Sequence, residues 1–196
     1  MTNSIRKGPD IMFHSRLFRK TAAIAFAFLL TAALFTGCGS EEEKGNENVR
    51  KGKEAYAGKD YKTAAMIFAL AAQEGDAEGQ YLLGRCYWDG KGVEEDEDEA
   101  FKWIRKSADQ GFAKAQFVLA GAPVGETPEE RNALYKKAVP GLRKAADQGD
   151  AEAMYLLGTA YREGSGVKKD EKEGMKLLRK AAEMGDENAI RLLKDY

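Results

Sequence analysis

Histidine is nearly missing from this 196-residue chain; the single one is His14. From residue 38 onward there is none. That excludes Ser-His and Cys-His nucleophile pairs and His-metal sites from the body of the protein. Cysteine is scarce as well and occurs only as Cys38 and Cys86. The chain also lacks a surplus of one charge sign, with 31 Lys+Arg against 32 Asp+Glu and a net charge of −1. That balance hides a segregation. Residues 1–37 carry Arg6, Lys7, Arg16, Arg19 and Lys20 against Asp10 alone, which leaves 26 basic and 31 acidic residues over 38–196. The body is mildly acidic and has no basic stripe of the kind that neutralises phosphates, so no nucleic-acid partner is expected. A long hydrophobic run is missing too. Residues 21–35 (TAAIAFAFLLTAALF) are uncharged, but a bilayer-spanning helix needs about 20 apolar residues. What is present is a hydrophobic content of 43%, enough for a packed core and too much for global disorder.

The short apolar run follows Arg16, Arg19 and Lys20 and precedes small residues. A basic stretch, an apolar stretch and small residues in that order match an export signal. Met12 lies close ahead of the pattern, so both Met1 and Met12 are candidate starts. The run ends in Phe35-Thr36-Gly37-Cys38. This resembles the lipobox of bacterial lipoprotein signals, in which the cysteine receives a diacylglyceryl group; the usual leucine is replaced here by Phe35. The resemblance implies that residues 1–37 are a removed signal and that Cys38 is lipidated. The three acyl chains of such lipoproteins exceed the roughly two anchors needed for stable attachment. Gly39 in place of an aspartate resembles the outer-membrane sorting signal of enteric bacteria. That implies an exported protein on the periplasmic side of the outer membrane, if the source is Gram-negative. Residues 38–48 read as a flexible acidic tether without apolar periodicity. With Cys38 acylated, Cys86 is an odd thiol, buried or reactive, and its place in the pattern below points to burial.

Three motifs recur in one frame. Ala71-Ala72-Gln73-Glu74-Gly75 returns as Ser107-Ala108-Asp109-Gln110-Gly111, Ala145-Ala146-Asp147-Gln148-Gly149 and Ala181-Ala182-Glu183-Met184-Gly185. Tyr81-Leu82-Leu83-Gly84 returns as Phe117-Val118-Leu119-Ala120 and Tyr155-Leu156-Leu157-Gly158. A turn with Gly90, Gly92 and Val93 before Asp96 returns with Gly164, Gly166 and Val167 before Asp170. A fixed period of this kind signals a repeat array. Each unit reads as two short antiparallel helices. In the first, Tyr81, Leu83, Gly84 and Tyr87 share one face at helical spacing. Gly84 and Gly158 weaken a helix, so they require a close neighbour. Gly90 and Gly92, or Gly164 and Gly166, end that helix and turn the chain. Asp96 or Asp170 caps the second helix, whose inner face carries Ala100, Trp103, Ile104 and Ala108, or Met175, Leu178 and Ala181. Gly75, Gly111, Gly149 and Gly185 close it, and Asp76, Asp150 and Asp186 cap the helix that follows.

The pattern resembles the Sel1-like repeats, relatives of tetratricopeptide repeats, over about residues 50–196. The resemblance implies an all-α fold, a right-handed α/α superhelical solenoid of helix-turn-helix units. The expected organisation is a solenoid over 49–196, with units of about 49–76, 77–112, 113–150 and 151–186 and a closing helix over 187–196. The unit 113–150 departs most. It lacks the Gly-x-Gly-Val turn, restarts at Thr127-Pro128-Glu129-Glu130 with a capping box, and carries Pro140-Gly141 where a kink or break is expected. Arg191 and Lys194 on the closing helix suit an end that faces water.

No chemistry is assigned: no catalytic residue, no cofactor and no metal. The run 94–99 (EEDEDE) lacks the spacing of a calcium loop and reads as a solvated helix start. The glycine-rich segments lack the Gly-Lys-Ser/Thr end of a phosphate loop. Trp103 falls on the packing stripe; Trp88 is open between core and surface. The family is implicated in assembling protein complexes, which implies a non-enzymatic scaffold at the cell envelope whose concave face binds a protein. The candidate partner-binding residues are Arg85, Trp88, Thr159 and Arg162. Two alternatives stand beside this: an immunity protein that neutralises a secreted effector, and a penicillin-binding or β-lactamase-like enzyme. The latter matches Ser165-Gly166-Val167-Lys168 to Ser-x-x-Lys, but its companion motifs are missing.

Overall fold

The computed structural model describes residues 41–122 and 127–194, with side chains from Glu47 onward. The export segment, Cys38 and Pro123 lie outside the described residues. Among the described residues there are helices and no strand. They are α1 (Glu41–Ala57), α2 (Tyr61–Gln73), α3 (Ala77–Asp89), α4 (Glu97–Asp109), α5 (Ala113–Gly121), α6 (Pro128–Asp147), α7 (Ala151–Glu163), α8 (Glu171–Glu183) and α9 (Glu187–Lys194). Each packs chiefly on its chain neighbours, so the fold is the all-α solenoid of helix pairs that the repeat implies.

The helix starts follow from the aspartates. Asp76, Asp96, Asp150 and Asp170 accept from Gly79, Glu99, Ala153 and Glu173 N–H at 2.6, 2.9, 2.9 and 3.0 Å. Each such cap stabilises a helix by about 1 kcal/mol. The helix ends follow from glycine. Gly75, Gly111, Gly149 and Gly185 have φ near +90° (89° to 92°), a conformation that costs other residues strain. Between the caps, side chains at helical spacing are buried, among them Phe68 and Tyr81, Ile104, Leu119, Leu142 and Leu178. Each large apolar side chain removed from water contributes about 1.5–3 kcal/mol.

Close helix approach explains the small residues inside helices. A Cβ on Gly84 would lie 3.0 Å from the Ala100 carbonyl oxygen and 2.7 Å from Ile104 Cγ1; on Gly158 it would lie 3.0 Å from the Gly174 carbonyl oxygen. The two Gly-x-Gly-Val turns dock on the preceding unit. A Cβ on Gly92 would fall 2.0 Å from the Tyr61 carbonyl oxygen, and on Gly166 2.7 Å from that of Tyr135.

Of the kink or break expected at Pro140, the break does not occur: α6 continues through it from Pro128 to Asp147. Proline forfeits one backbone donor, but the flanking turns are held by buried Ala138, Val139 and Leu142. Residues 41–48, read above as tether, are the first turns of α1. There Val49 is buried and a Glu47–Lys51 pair at 2.7 Å joins adjacent turns.

Candidate functional site

A cleft of roughly 760 Å³ opens between the first helices of the array and its last. Lys53 and Tyr56 of α1, Phe68 of α2, and Leu82, Arg85 and Asp89 of α3 form one side. Asp186, Asn188 and Arg191 at α9 form the other, with Glu152 of α7 between them. The repeat places these residues together because each odd-numbered helix turns the same face toward the same side. The second residue of α3, α5, α7 and α9 is Glu78, Lys114, Glu152 and Asn188 in turn.

Glu152 is the hub. Its carboxylate accepts from the Tyr81 hydroxyl at 2.7 Å and from Lys114 Nζ at 3.0 Å, and forms an ion pair with the Arg85 guanidinium. Lys114 also pairs with Asp150 at 2.6 Å, and Arg85 with Asp89 at 3.7 Å. Three helices from three successive units are thereby linked through side chains. Burial disfavours the Glu152 charge, yet Lys114, Arg85 and the Tyr81 hydroxyl outweigh it, and the carboxyl lies below its usual range. Burial and the adjoining Glu152 charge push the fully enclosed Tyr81 phenol well up. Asp186 is shifted the other way: burial raises it, against the help of the Ala189 N–H.

The mouth of the cleft is held by Lys91, which donates to the Tyr56 hydroxyl at 2.8 Å. It lies 3.8 Å from Glu187 at the start of α9. That contact joins the first Gly-x-Gly-Val turn to the last helix. The charged lining is balanced in sign, and Arg85, Asp89, Lys91, Glu152 and Glu187 are engaged in these pairs. What it offers a ligand is a set of fixed donors and acceptors beside Tyr56, Phe68 and Leu82, with no activated nucleophile. Cys86 is buried, and burial pushes its thiol up to about 11, which leaves it protonated and inert at neutral pH. Among the described residues no group of His, Cys, Asp or Glu is gathered as a metal site.

Of the four residues singled out from the sequence, Arg85 and Trp88 lie one turn apart on α3, Thr159 and Arg162 one turn apart on α7, and Arg85 is the one among the cleft-lining residues. Arg85 lines the cleft, paired as above. Trp88 is 40% exposed and stacks edge-on against Phe101 at 4.9 Å, beside a smaller cleft with Glu95 and Glu97. Thr159 is partly buried, and its hydroxyl donates to the Tyr155 carbonyl of its own helix at 3.0 Å. The Arg162 stem passes over Gly174, where a Cβ would meet its Cγ at 2.6 Å, between α7 and α8. Sequence reasoning missed Lys91, Lys114, Glu152 and Glu187. The alternation of Glu78, Lys114 and Glu152 at one repeat register was the signal that could have found the middle two. Nothing in the sequence marks the Lys91–Glu187 approach, which depends on how far the array curves.

Several known proteins are similar to this one. Over 81 residues the chain is 36% identical to the chitin synthase regulator SKT5 of Saccharomyces cerevisiae, 39% of this chain and 10% of that protein. Over 57 residues it is 42% identical to the DAP3-binding cell death enhancer 1 of Rattus norvegicus, 29% of this chain and 11% of that protein. The chain thus spans about a tenth of the length of the curated relatives it matches. Among solved structures, a Sel1 repeat protein from Oxalobacter formigenes aligns over 87% of this chain and 71% of its own, with TM-score 0.48 and 27% identity. A protective antigen of uropathogenic Escherichia coli strains, displaying an SLR fold, aligns over 76% and 33%, with TM-score 0.46 and 35% identity. The Sel1 repeat model matches residues 50–76, 77–112, 142–150 and 151–186, passing over most of the unit that lacks the Gly-x-Gly-Val turn. With more than half of its residues matched in the register of the observed helix pairs, the chain belongs to the Sel1 repeat family.

Proposed function

We propose that this protein is a non-catalytic scaffold that binds a protein partner in the cleft between α1–α3 and α9. Sel1 repeat proteins act as protein-interaction scaffolds, and here the cleft supplies the surface. The observation that carries the reading is the cleft itself: about 760 Å³, with apolar Phe68 and Leu82 among charges already fixed by Glu152 and Lys91. A prearranged polar surface binds without the entropy cost of ordering long side chains on contact. The same reading anchors the protein to a bacterial envelope through a lipid on Cys38, on the periplasmic side of an outer membrane. It rests on the basic-apolar-small order of residues 16–37 and the Phe35-Thr36-Gly37-Cys38 sequence.

The test is photo-crosslinking in the native host, with a reactive amino acid at Arg191 in the cleft and, separately, at Lys102 on the outer face of α4. A protein adduct from position 191 and none from 102 is the expected result, with the adduct at 191 lost when Lys53→Glu and Tyr56→Ala are added to the probe-bearing chain. Equal adducts at both positions, or none at 191, would overturn the cleft. Mass spectrometry of the mature N-terminus tests the anchor separately: an unmodified Cys38 ends that part of the reading.

A further inference from the structure

The outer face of α2 is unlike the same face of every other second helix. At one repeat register stand Leu70, Lys106, Lys144 and Lys180; at the next stand Ala69, Arg105, Arg143 and Arg179. A third register holds Met66, Lys102, Pro140 and Lys176. Apart from Pro140, the later units are cationic where the first is apolar. Met66 and Leu70 are 62% and 53% exposed, four residues apart and so on one line of the helix. No charged residue interrupts the chain from Thr63 to Gln73, and exposed Lys62 sits one turn ahead of Met66 on the same line. The face points away from the cleft, because Phe68, which lines the cleft, lies on the opposite side of α2.

We propose that this face of α2 rests on the surface of the bilayer in which Cys38 is anchored. The inference rests on the lipid-anchor reading above. Two side chains cannot make a dimer interface, since a stable protein contact needs about 800 Å² per partner. A lipid surface needs neither that area nor a matching shape, and apolar residues with lysine at the flank are what interfacial helices use. Position supplies the rest. The Asn48 amide donates to Glu74 at 3.1 Å, one turn beyond Leu70. Residues 41–48 rise only about 11 Å as helix, and the three steps from Cys38 to Glu41 add at most about 11 Å. A link that short keeps the face near the bilayer, where a weak contact is occupied. The contact would fix which way the cleft faces, away from the membrane.

The full chain, made in cells so that Cys38 is processed, carries one added cysteine as Leu70→Cys or, for comparison, Lys106→Cys. Each is labelled with an environment-sensitive fluorophore; Cys86 is buried and stays unlabelled. The protein is placed in vesicles of phosphatidylethanolamine and phosphatidylglycerol containing nitroxide-labelled lipid. The label at 70 is expected to be quenched several-fold more than the label at 106. Equal quenching with an acylated N-terminus overturns the proposal and leaves the anchor standing. A shift of the label at 70 that depends on protein concentration and not on nitroxide assigns the face to a second copy and also overturns it. A Cys38 found unmodified removes anchor and proposal together.

Discussion

The units α3–α4 and α7–α8 solve the same problem twice, and the unit α5–α6 between them solves it differently. In the outer two, a Gly-x-Gly-Val turn leaves the first helix and docks on the unit before it, against the carbonyls of Tyr61 and Tyr135. In the middle unit that turn is missing. The chain instead restarts at Thr127, whose hydroxyl accepts from Glu130 N–H at 3.2 Å while the Glu130 carboxylate accepts from Thr127 N–H at 2.8 Å. This capping box starts α6 about two turns before Tyr135, the residue in register with Tyr61. The middle unit also has Phe112 where the others have a capping aspartate, and no side-chain cap on α5. In exchange it brings Lys114, the cation that Glu152 and Asp150 hold. The difference teaches that the repeat tolerates a rebuilt turn as long as the second helix returns to register, and that the irregular unit supplies one of the two cations paired with Glu152.

The sharpest way to break the comparison is to give the regular turn a side chain. Gly92→Ala places a Cβ 2.0 Å from a backbone oxygen at φ +81°, and neither partner can move cheaply. A loss of roughly 3 kcal/mol or more is expected in thermal melts followed by circular dichroism. Gly121→Ala in the middle unit meets only the Tyr135 hydroxyl at 3.3 Å and is expected to be nearly silent; equal effects would show that the turns are interchangeable.

Next in size is the bond between the two kinds of unit. Glu152→Gln leaves Lys114 and Arg85 without their shared counter-charge and is expected to cost about 3 kcal/mol, because a buried pair that loses one partner is strongly destabilised. The pH dependence follows from the sign. Glu152 has a folded pKa below its ordinary value. Its contribution is therefore complete above the ordinary glutamate value of about 4.3 and is lost as pH falls through the lower folded value. The wild-type melting temperature should fall more steeply through that acid range than that of Glu152→Gln. Parallel profiles would remove the carboxylate from the account.

Smaller effects test the helix contacts. Gly84→Ala forces Ile104 or the Ala100 carbonyl aside and is expected to cost about 1–3 kcal/mol as an overpacked site. Ala120→Gly, the reverse change at the same register, is expected to cost only about 1 kcal/mol from helix propensity. A neutral Gly84→Ala would show that α3 and α4 can separate. The smallest change, Thr127→Ala, removes the capping box and about 1 kcal/mol. Hydrogen exchange should then report opening of the turns before Tyr135, with the cleft unaltered.

Much of the fold was legible because its signals are local. The capping aspartates, the closing glycines and the Thr127–Glu130 box each act within four residues of chain, and each makes the hydrogen bond or turn its type suggests. At Pro140 the break alternative fails: proline's local cost is real, and burial of Ala138, Val139 and Leu142 keeps the helix continuous. The site was much less legible. Arg85 reads as a free cation on a helix face until Glu152, which is 67 residues away, is seen beside it. Thr159 reads as a partner-contact residue, and the structure finds its hydroxyl donated to the Tyr155 carbonyl of its own helix.

The sequence by itself determined the helix pairs, their period and the membership of the array, because caps, glycine turns and a 3.6-residue apolar pattern are properties of short segments. It also determined that histidine chemistry is unavailable from residue 38 onward. Only the tertiary structure decided where the array closes on itself. The approach of Lys91 to Glu187 and of Tyr81 to Glu152 accumulates from small rotations at each helix contact. Those rotations depend on how closely helices pack at Gly84, Ala120 and Gly158, a sum over the whole solenoid that no single segment records.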